Sequence, residues 1–109
     1  MTPPTTPAAM QPVLIDGAWR AATAVDSFRA VDPATGAARD ALWPVSGWAD
    51  VDTALAAATR AADELGRLPA DTIARFLERY AERFAARADD IVAAAHAETG
   101  LAVRPRLAQ

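Results

Sequence analysis

Few residues of this 109-residue chain carry side chains suited to catalysis. His96 stands two positions before Glu98 in the string HAETG, and an imidazole close to a carboxylate suits general-base chemistry. A general base needs a nucleophile or an acidic proton within reach, and the sequence offers no candidate for either. Because a cation near a helix C-terminus interacts favourably with the helix dipole, we interpret His96 as a helix-end residue.

Four arginines recur at every fourth position and would form a basic stripe on one helix: Arg75, Arg79, Arg83 and Arg87. Such a stripe could bind phosphate groups. Glu78 and Glu82 follow Arg75 and Arg79 by three positions, so weak intrahelical ion pairs explain the row as solvated surface. The glycines are too far apart in the sequence to form a phosphate-binding loop.

Composition excludes several classes of function. The chain has no cysteine, so it can form no disulfide, thiolate metal site or cysteine nucleophile, and its single histidine has no partners for a metal. A net charge of −3 argues against a nucleic-acid partner. No leader pattern opens the chain, and no stretch approaches the ~20 apolar residues that span a membrane. We expect a cytoplasmic protein with no membrane partner, and we assign no catalytic, cofactor-binding or metal-binding residue.

The first half of the chain reads as a tail followed by short strands. Residues 1–12 contain several prolines and no charge, which predicts a flexible tail. Residues 13–47 predict a small meander: a hairpin over 13–20 around Asp16-Gly17, a strand over 28–31 that ends in the turn DPATG, and a strand over 42–45.

From residue 50 the apolar spacing changes to three and four residues, which predicts a helix over 50–66 and a helix pair over 71–99. Asp50 is expected to cap the first helix, Gly66 to end it, and the segment 88–90 to start the last helix, which stops at Gly100. The middle helix carries the clearest apolar stripe: Ile73, Phe76, Leu77, Tyr80 and Phe84. Residues 101–109 are expected to be irregular, since Pro105 opposes a helix.

These segments together predict an α/β class, with a short amino-terminal β-meander and two to three amphipathic helices. Alanine supplies most of the 52% apolar content, so little large apolar volume is available for packing. We therefore expect a thin core, in which the faces of the first two helices partly cover each other.

The order of the segments resembles the start of the NAD(P)-dependent aldehyde dehydrogenases. Members of that family open with an I-x-G-x-W hairpin, an N-P-A-T-G-E turn, a D-V-D-x-A-V-x-A-A helix and a helix pair ending near E-T-G-K-P. The corresponding strings here are LIDGAW, VDPATGA, DVDTALAAA and HAETGLA. Asp32 replaces the usual Asn, which turns accept, Ala37 replaces Glu, and Leu101-Ala102 replace Lys-Pro. The strings PVSGWADVDTAL, RFLERYAER and HAETGLAVRPRL are similar to the branch that oxidises 2-oxoglutarate semialdehyde, also called 2,5-dioxopentanoate.

The resemblance implies that residues 13–109 open the Rossmann-like cofactor-binding domain of an oxidoreductase. In the family, a cysteine attacks the aldehyde, hydride passes to the nicotinamide of NAD or NADP, and a glutamate-activated water releases the carboxylate. The complete enzyme is expected to be a homodimer or homotetramer acting on an aldehyde. This chain lacks the cysteine, the active-site glutamate segment and the glycine-bearing cofactor turn, so we expect it alone to be inactive and to bind no cofactor.

Two hypotheses follow. The first is that the chain is a piece of such an enzyme, through a gene fragment, a frameshift or a truncation. The second is a stand-alone interaction module without catalytic activity, which docks on another protein through its apolar helix faces. The sequence shows no charged or aromatic cluster that predicts a dedicated interface, which favours the first hypothesis.

Overall fold

The computed structural model describes residues 9–108. Short antiparallel strands come first and three α-helices follow, which confirms the α/β class. The elements are β1 Val13–Ile15, β2 Ala18–Arg20, β3 Ala24–Phe28, β4 Trp43–Ser46, α1 Trp48–Leu65, α2 Ala70–Ala86 and α3 Ala88–Thr99. The chain divides into two compact units. Among the described residues, the first comprises residues 9–30 together with Ala38–Ala62, and the second comprises Val31–Ala37 together with residues 63–108.

The predicted tail is shorter than residues 1–12. Residues 1–8 lie outside the described part of the chain. Met10 forms a parallel bridge with Leu42, and the backbone N–H of Gln11 donates to the Leu42 carbonyl at 2.8 Å. The prediction of a flexible segment was therefore wrong for Met10 and Gln11. Both residues pair with Leu42, which directly precedes β4.

The predicted hairpin is confirmed. β1 pairs with β2 antiparallel, with Val13 opposite Arg20 and Ile15 opposite Ala18. Asp16 and Gly17 both have positive φ, 52° and 74°, as the two central residues of a type I′ turn require. The Asp-Gly pair thus fixes the hairpin register from two residues of local sequence.

The strand predicted over residues 28–31 was placed too late in the chain. The structure forms β3 at Ala24–Phe28, which pairs antiparallel with β4, Phe28 opposite Trp43 and Ala24 opposite Ser46. Residues 24–28 contain Asp26 and Ser27, which weaken the apolar pattern on which the prediction depended. Strand formation here follows from pairing with β4, and local composition alone did not show it.

The turn DPATG forms as predicted. The Asp32 carboxylate accepts a hydrogen bond from the Ala34 N–H at 2.8 Å, and its carbonyl accepts one from the Gly36 N–H at 2.7 Å. Gly36 has a φ of 73°. The side-chain bond is the Asx turn that Asn also makes, so Asp32 is a conservative replacement at this position.

Helix α1 begins two residues before Asp50, so the predicted N-cap was wrong. The Asp50 N–H already bonds to the Gly47 carbonyl at 3.1 Å, which places Asp50 in the first helical turn. Its carboxylate turns toward residues of the strand segment instead of capping its own helix. The other end agrees with the prediction, because α1 stops at Leu65, directly before Gly66.

Helices α2 and α3 follow the predicted pair, with a break at Arg87. Pro69 precedes α2, so the helix starts one residue before Asp71. No side chain caps the start of α3, and Asp89 and Asp90 lie within its first turn. Gly100 ends α3 with a left-handed φ of 68°. Within the segment predicted to be irregular, Val103–Leu107 form one wide helical turn interrupted by an extended Arg104.

The apolar stripe of α2 lies on one face but stays uncovered. The rings of Phe76, Tyr80 and Phe84 follow one another with centroids 6.4 Å apart, and they are 64%, 61% and 53% exposed. Leu55 and Leu65 of α1 are also exposed, and the mutual covering of the two helix faces stays a prediction. Among residues 9–108, Ile15 is the single buried apolar side chain. Short strands and alanine-rich helices do not enclose a larger core.

Gly100 should tolerate alanine worse than Gly36, although both glycines have left-handed φ. A Cβ at Gly100 would lie 3.3 Å from Cγ of Pro33, whereas a Cβ at Gly36 would meet nothing within 4 Å. We expect Gly100→Ala to destabilise the fold by about 2 kcal/mol and Gly36→Ala by about 1 kcal/mol, the cost of left-handed backbone for a residue with a side chain. The helical signal of the two variants, measured by circular dichroism, tests which substitution destabilises more. Equal losses of helical signal in Gly100→Ala and Gly36→Ala would contradict the contact with Pro33.

Candidate functional site

Asp50 is the best-defined polar site of the described chain. It is 3% exposed, and it is the single buried charged side chain among residues 9–108. One carboxylate oxygen accepts a hydrogen bond from the Arg20 guanidinium at 2.8 Å, and the other accepts one from the Thr23 N–H at 2.8 Å. The Ser46 side chain also hydrogen-bonds this carboxylate. We call Arg20, Thr23, Ser46 and Asp50 the Asp50 cluster.

The Asp50 cluster forms where strand ends meet the start of a helix. Arg20 ends β2, Thr23 directly precedes β3, and Ser46 ends β4. The Gly47 N–H donates to the Thr23 carbonyl at 2.9 Å. A Cβ at Gly47 would lie 3.1 Å from the Val25 side chain, so glycine permits this close approach. One carboxylate thereby connects β2, the segment before β3, and α1.

The electrostatics of the cluster keep Asp50 ionised. Burial by itself raises the pKa of Asp50. Hydrogen bonds from Ser46 and from the Thr23 backbone, together with the charge and hydrogen bond of Arg20, outweigh burial and hold the pKa below its ordinary value of 3.8. An ionised and fully hydrogen-bonded carboxylate is a poor general acid or base near neutral pH. The cluster therefore stabilises the fold and offers no reactive group.

His96 lies where the sequence predicted, near the C-terminal end of α3. Its Nδ1 is 2.7 Å from the Leu101 carbonyl oxygen, and because a carbonyl only accepts hydrogen bonds, Nδ1 carries the proton. Residues two apart on a helix do not face each other, so Glu98 is not placed to act with His96. The geometry supports the helix-end interpretation and gives no general-base pair.

The basic stripe on α2 lies in solvent, but its ion pairs differ from those predicted. Arg75 pairs with Asp71 at 3.2 Å, one turn earlier, rather than with Glu78. An acid four residues before a base is the favourable order on a helix, and Asp71 also lies in the first turn, where negative charge is stabilised. Arg87 pairs with Asp90 at 3.8 Å. These exposed pairs are worth little and build no anion site.

No metal-binding group is present in the part of the chain that the structure describes. Within residues 9–108 no three residues among His, Cys, Asp and Glu come together in a way that could hold a metal ion. Over the same residues, no helix has the length and apolar content needed to cross a membrane.

Sequence reasoning missed the Asp50 cluster, since Arg20 and Asp50 are 30 positions apart and no local pattern links them.

Comparison with known proteins places the chain in a family. It is 37% identical over 91 residues to alpha-ketoglutaric semialdehyde dehydrogenase 2 from Azospirillum brasilense, a match that covers 83% of this chain and 17% of that protein. The chain thus spans about a sixth of the length of this curated relative. No solved structure gives a significant match. The sequence pattern of the aldehyde dehydrogenase family matches residues 19–107, most of the chain, and the chain therefore belongs to the aldehyde dehydrogenase family.

Proposed function

We propose that this chain is the amino-terminal part of the cofactor-binding domain of an NAD(P)-dependent aldehyde dehydrogenase, an oxidoreductase that converts an aldehyde to a carboxylate. The observation that carries the proposal is the family match over residues 19–107. The order of a hairpin, a turn and three helices is consistent with it. We further propose that the complete enzyme is a cytoplasmic homodimer or homotetramer.

The proposed substrate is 2-oxoglutarate semialdehyde. Support comes from the relative in Azospirillum brasilense, whose name specifies alpha-ketoglutaric semialdehyde, another name for the same compound. The alignment covers 83% of this chain, so the similarity extends through both the strand segment and the helices.

Among the described residues, the start of α1 does not fit a site for the nicotinamide cofactor. A dinucleotide pyrophosphate commonly binds at a helix N-terminus beside closely spaced glycines. The first turn of α1 already holds the buried Asp50 carboxylate, which would repel a phosphate, and Gly47 is the nearest glycine to it. We propose that the remainder of the enzyme supplies the cofactor site, the cysteine nucleophile and the activating glutamate, while this segment supports the domain.

The proposal is tested with the protein made from the complete reading frame that contains this sequence. NAD⁺ or NADP⁺ is mixed with 2-oxoglutarate semialdehyde, and the absorbance of the reduced cofactor is followed. We expect turnover, with a higher kcat/KM for 2-oxoglutarate semialdehyde than for uncharged aldehydes of similar length. Turnover with other aldehydes alone would reject the substrate, and the absence of reduction with every aldehyde of a broad panel would reject the function.

Replacing His96 should leave the chemistry of the complete enzyme unchanged. We expect His96→Gln to retain the pH profile of kcat/KM, because His96 hydrogen-bonds the Leu101 backbone carbonyl and the proposed nucleophile lies outside this chain. Loss of this hydrogen bond should lower stability by about 1 kcal/mol, measured by urea unfolding. A profile that loses one of its ionisations in His96→Gln, but not in the neighbouring control Thr99→Ala, would restore the general-base interpretation.

The second hypothesis, an interaction module, gains one observation from the structure. The expectation that no aromatic surface cluster exists was wrong, since Phe76, Tyr80 and Phe84 form one on α2. Exposed apolar patches commonly mark surfaces that another protein segment covers. Within the aldehyde dehydrogenase proposal, that segment belongs to the same enzyme.

A further inference from the structure

The β1–β2 hairpin depends on contacts outside itself for its order. The two strands form a sheet of their own, and among residues 9–108 no backbone hydrogen bond joins residues 13–20 to another element. A two-stranded hairpin without further support is marginally stable at best in water. Ile15 is buried, but every residue from Asp16 to Arg20 is exposed. A small number of side-chain contacts must therefore hold the hairpin in place.

Two ion pairs join the hairpin to α1, one at each end. At the end of β2, the Arg20 guanidinium donates to the Asp50 carboxylate at 2.8 Å. At the turn, the Asp16 carboxylate accepts a hydrogen bond from the Arg60 guanidinium at 3.1 Å. All four residues belong to the same compact unit. Because the two pairs have opposite polarity, a hairpin laid on α1 in the reverse direction would place like charges together.

The spacing of the two pairs is similar along the hairpin and along the helix. From Asp50 to Arg60, α1 advances about 15 Å at about 1.5 Å per residue. From Asp16 to Arg20, the chain covers at most about 13 Å at about 3.3 Å per residue. The arginine side chains bridge the small difference, since both pairs are formed. The turn and β2 therefore lie along α1 and run in the opposite direction to it.

The two ends of the hairpin are fastened with unequal strength. Asp50 is 3% exposed, so the release of Arg20 would leave a buried carboxylate without its counter-charge. The side chains of Asp16 and Arg60 are 65% and 63% exposed. An exposed ion pair contributes little and is screened by salt, whereas a buried pair is screened much less. The ion pair at the turn is therefore the weaker of the two.

We propose that the β1–β2 hairpin is a strap across α1 that opens from its turn, with the Asp16–Arg60 pair releasing first and the Arg20–Asp50 pair holding the base. Proteins open locally in units that often coincide with supersecondary motifs. This hairpin suits such a unit, because its strands pair with each other alone. Since salt screens the exposed pair, the strap opens more readily as the ionic strength rises.

The pair at the turn is tested by amide hydrogen exchange of residues 13–20, measured by mass spectrometry on the protein made from the complete reading frame. Asp16→Asn removes the charge and keeps the turn, since Asn-Gly also favours a type I′ turn. We expect the hairpin to exchange faster by on the order of threefold, as for the loss of an exposed ion pair. Arg60→Gln should give the same increase, and the double variant should add nothing further.

The matched control is Asp52→Asn, which makes the same change at an exposed position of α1 outside both ion pairs. Its hairpin should exchange at the wild-type rate, and peptides from α3 should exchange alike in every one of these proteins. Wild-type hairpin exchange in Asp16→Asn, or an equal acceleration in Asp52→Asn, would overturn the proposal. An equal rise in α3 exchange in Asp16→Asn would show global unfolding and overturn the local opening.

Salt tests the same pair without a substitution in the wild type. Raising NaCl from about 0.02 M to about 0.5 M should speed hairpin exchange in the wild type and have a smaller effect in Asp16→Asn, which lacks the exposed pair. An equal response of the two proteins would overturn the predicted sensitivity to ionic strength.

The direction of opening is tested with Arg20→Gln, which removes the pair at the base. We expect a larger acceleration of hairpin exchange than in Asp16→Asn, because the base pair involves the buried Asp50 carboxylate. An equal or smaller acceleration in Arg20→Gln would overturn the predicted order of release. Aldehyde oxidation is measured separately on the same samples, so the strap and the proposed function can fail independently.

Discussion

The isolated 109-residue chain is expected to oxidise no aldehyde. A covalent aldehyde dehydrogenase mechanism needs a thiolate to form the thiohemiacetal, and the chain contains no cysteine. No other group replaces it, since Asp50 is buried and ionised and His96 holds a backbone carbonyl. The absorbance of reduced NAD(P) should rise no faster than the background rate without the chain, for every aldehyde of a panel. Turnover that follows the concentration of the purified chain would contradict this prediction.

The same isolated chain is expected to be marginally stable. Burial of apolar area contributes about 25 cal/mol per Å², and ordering a residue costs about 1.5 kcal/mol, so a stable domain needs an extensive core. Here Ile15 is the single buried apolar side chain among the described residues, while Trp48 and the apolar face of α2 with Phe76, Tyr80 and Phe84 are exposed. Urea unfolding followed by circular dichroism should show a broad change in signal. A cooperative transition worth several kcal/mol would contradict the prediction and favour the independent module.

Asp50→Ala is expected to be the most damaging single substitution in the Asp50 cluster. It removes the acceptor of Arg20, Thr23 and Ser46 at once, so that three hydrogen bonds are lost together. We expect the thermal midpoint of the complete enzyme to fall by several degrees. Asp52→Ala is the matched control, because Asp52 lies in the same part of α1 but is exposed. A similar loss in both variants would show that the helix dipole, and not the Asp50 cluster, accounts for the effect.

The Asp50 cluster also predicts a pH dependence. The pKa of Asp50 is lower in the folded state than its ordinary value of 3.8, so the folded state favours the ionised carboxylate. Its contribution to stability is complete above about pH 3.8 and is lost as the pH falls through the lowered folded-state pKa. The difference in unfolding free energy between the wild type and Asp50→Asn should therefore shrink below this pH. A difference that grows on acidification would contradict the direction of the pKa shift.

Sequence reasoning located the elements that depend on local chemistry. The Asp16-Gly17 hairpin, the turn ending at Gly36 and the left-handed stop at Gly100 each follow from residues whose backbone preferences are specific. It misplaced β3, since β3 is defined by pairing with β4 and contains polar residues. It also assigned the Asp50 side chain to cap the start of α1, because two of the carboxylate's partners, Thr23 and Arg20, are 27 and 30 positions away in sequence. Interactions across such distances depend on the folded arrangement and leave no local signal.

That this chain supplies no catalytic residue stays a prediction. No pattern in this chain predicted a nucleophile, and the geometry of His96 and Asp50 gives neither of them a catalytic position. The family match over residues 19–107 is what connects the segment to aldehyde oxidation. Membership in the family is thus established by a sequence pattern, while the activity of the complete enzyme is the proposal to be tested.

The most direct test of this account is the DNA sequence that follows the codon for Gln109. If the chain is the amino-terminal part of an aldehyde dehydrogenase, the coding sequence should continue, in frame or after a frameshift. The continuation should encode a glycine-bearing cofactor turn, a glutamate segment and a catalytic cysteine. A stop codon followed by no sequence related to the aldehyde dehydrogenase family would contradict the account and leave the interaction module as the better explanation.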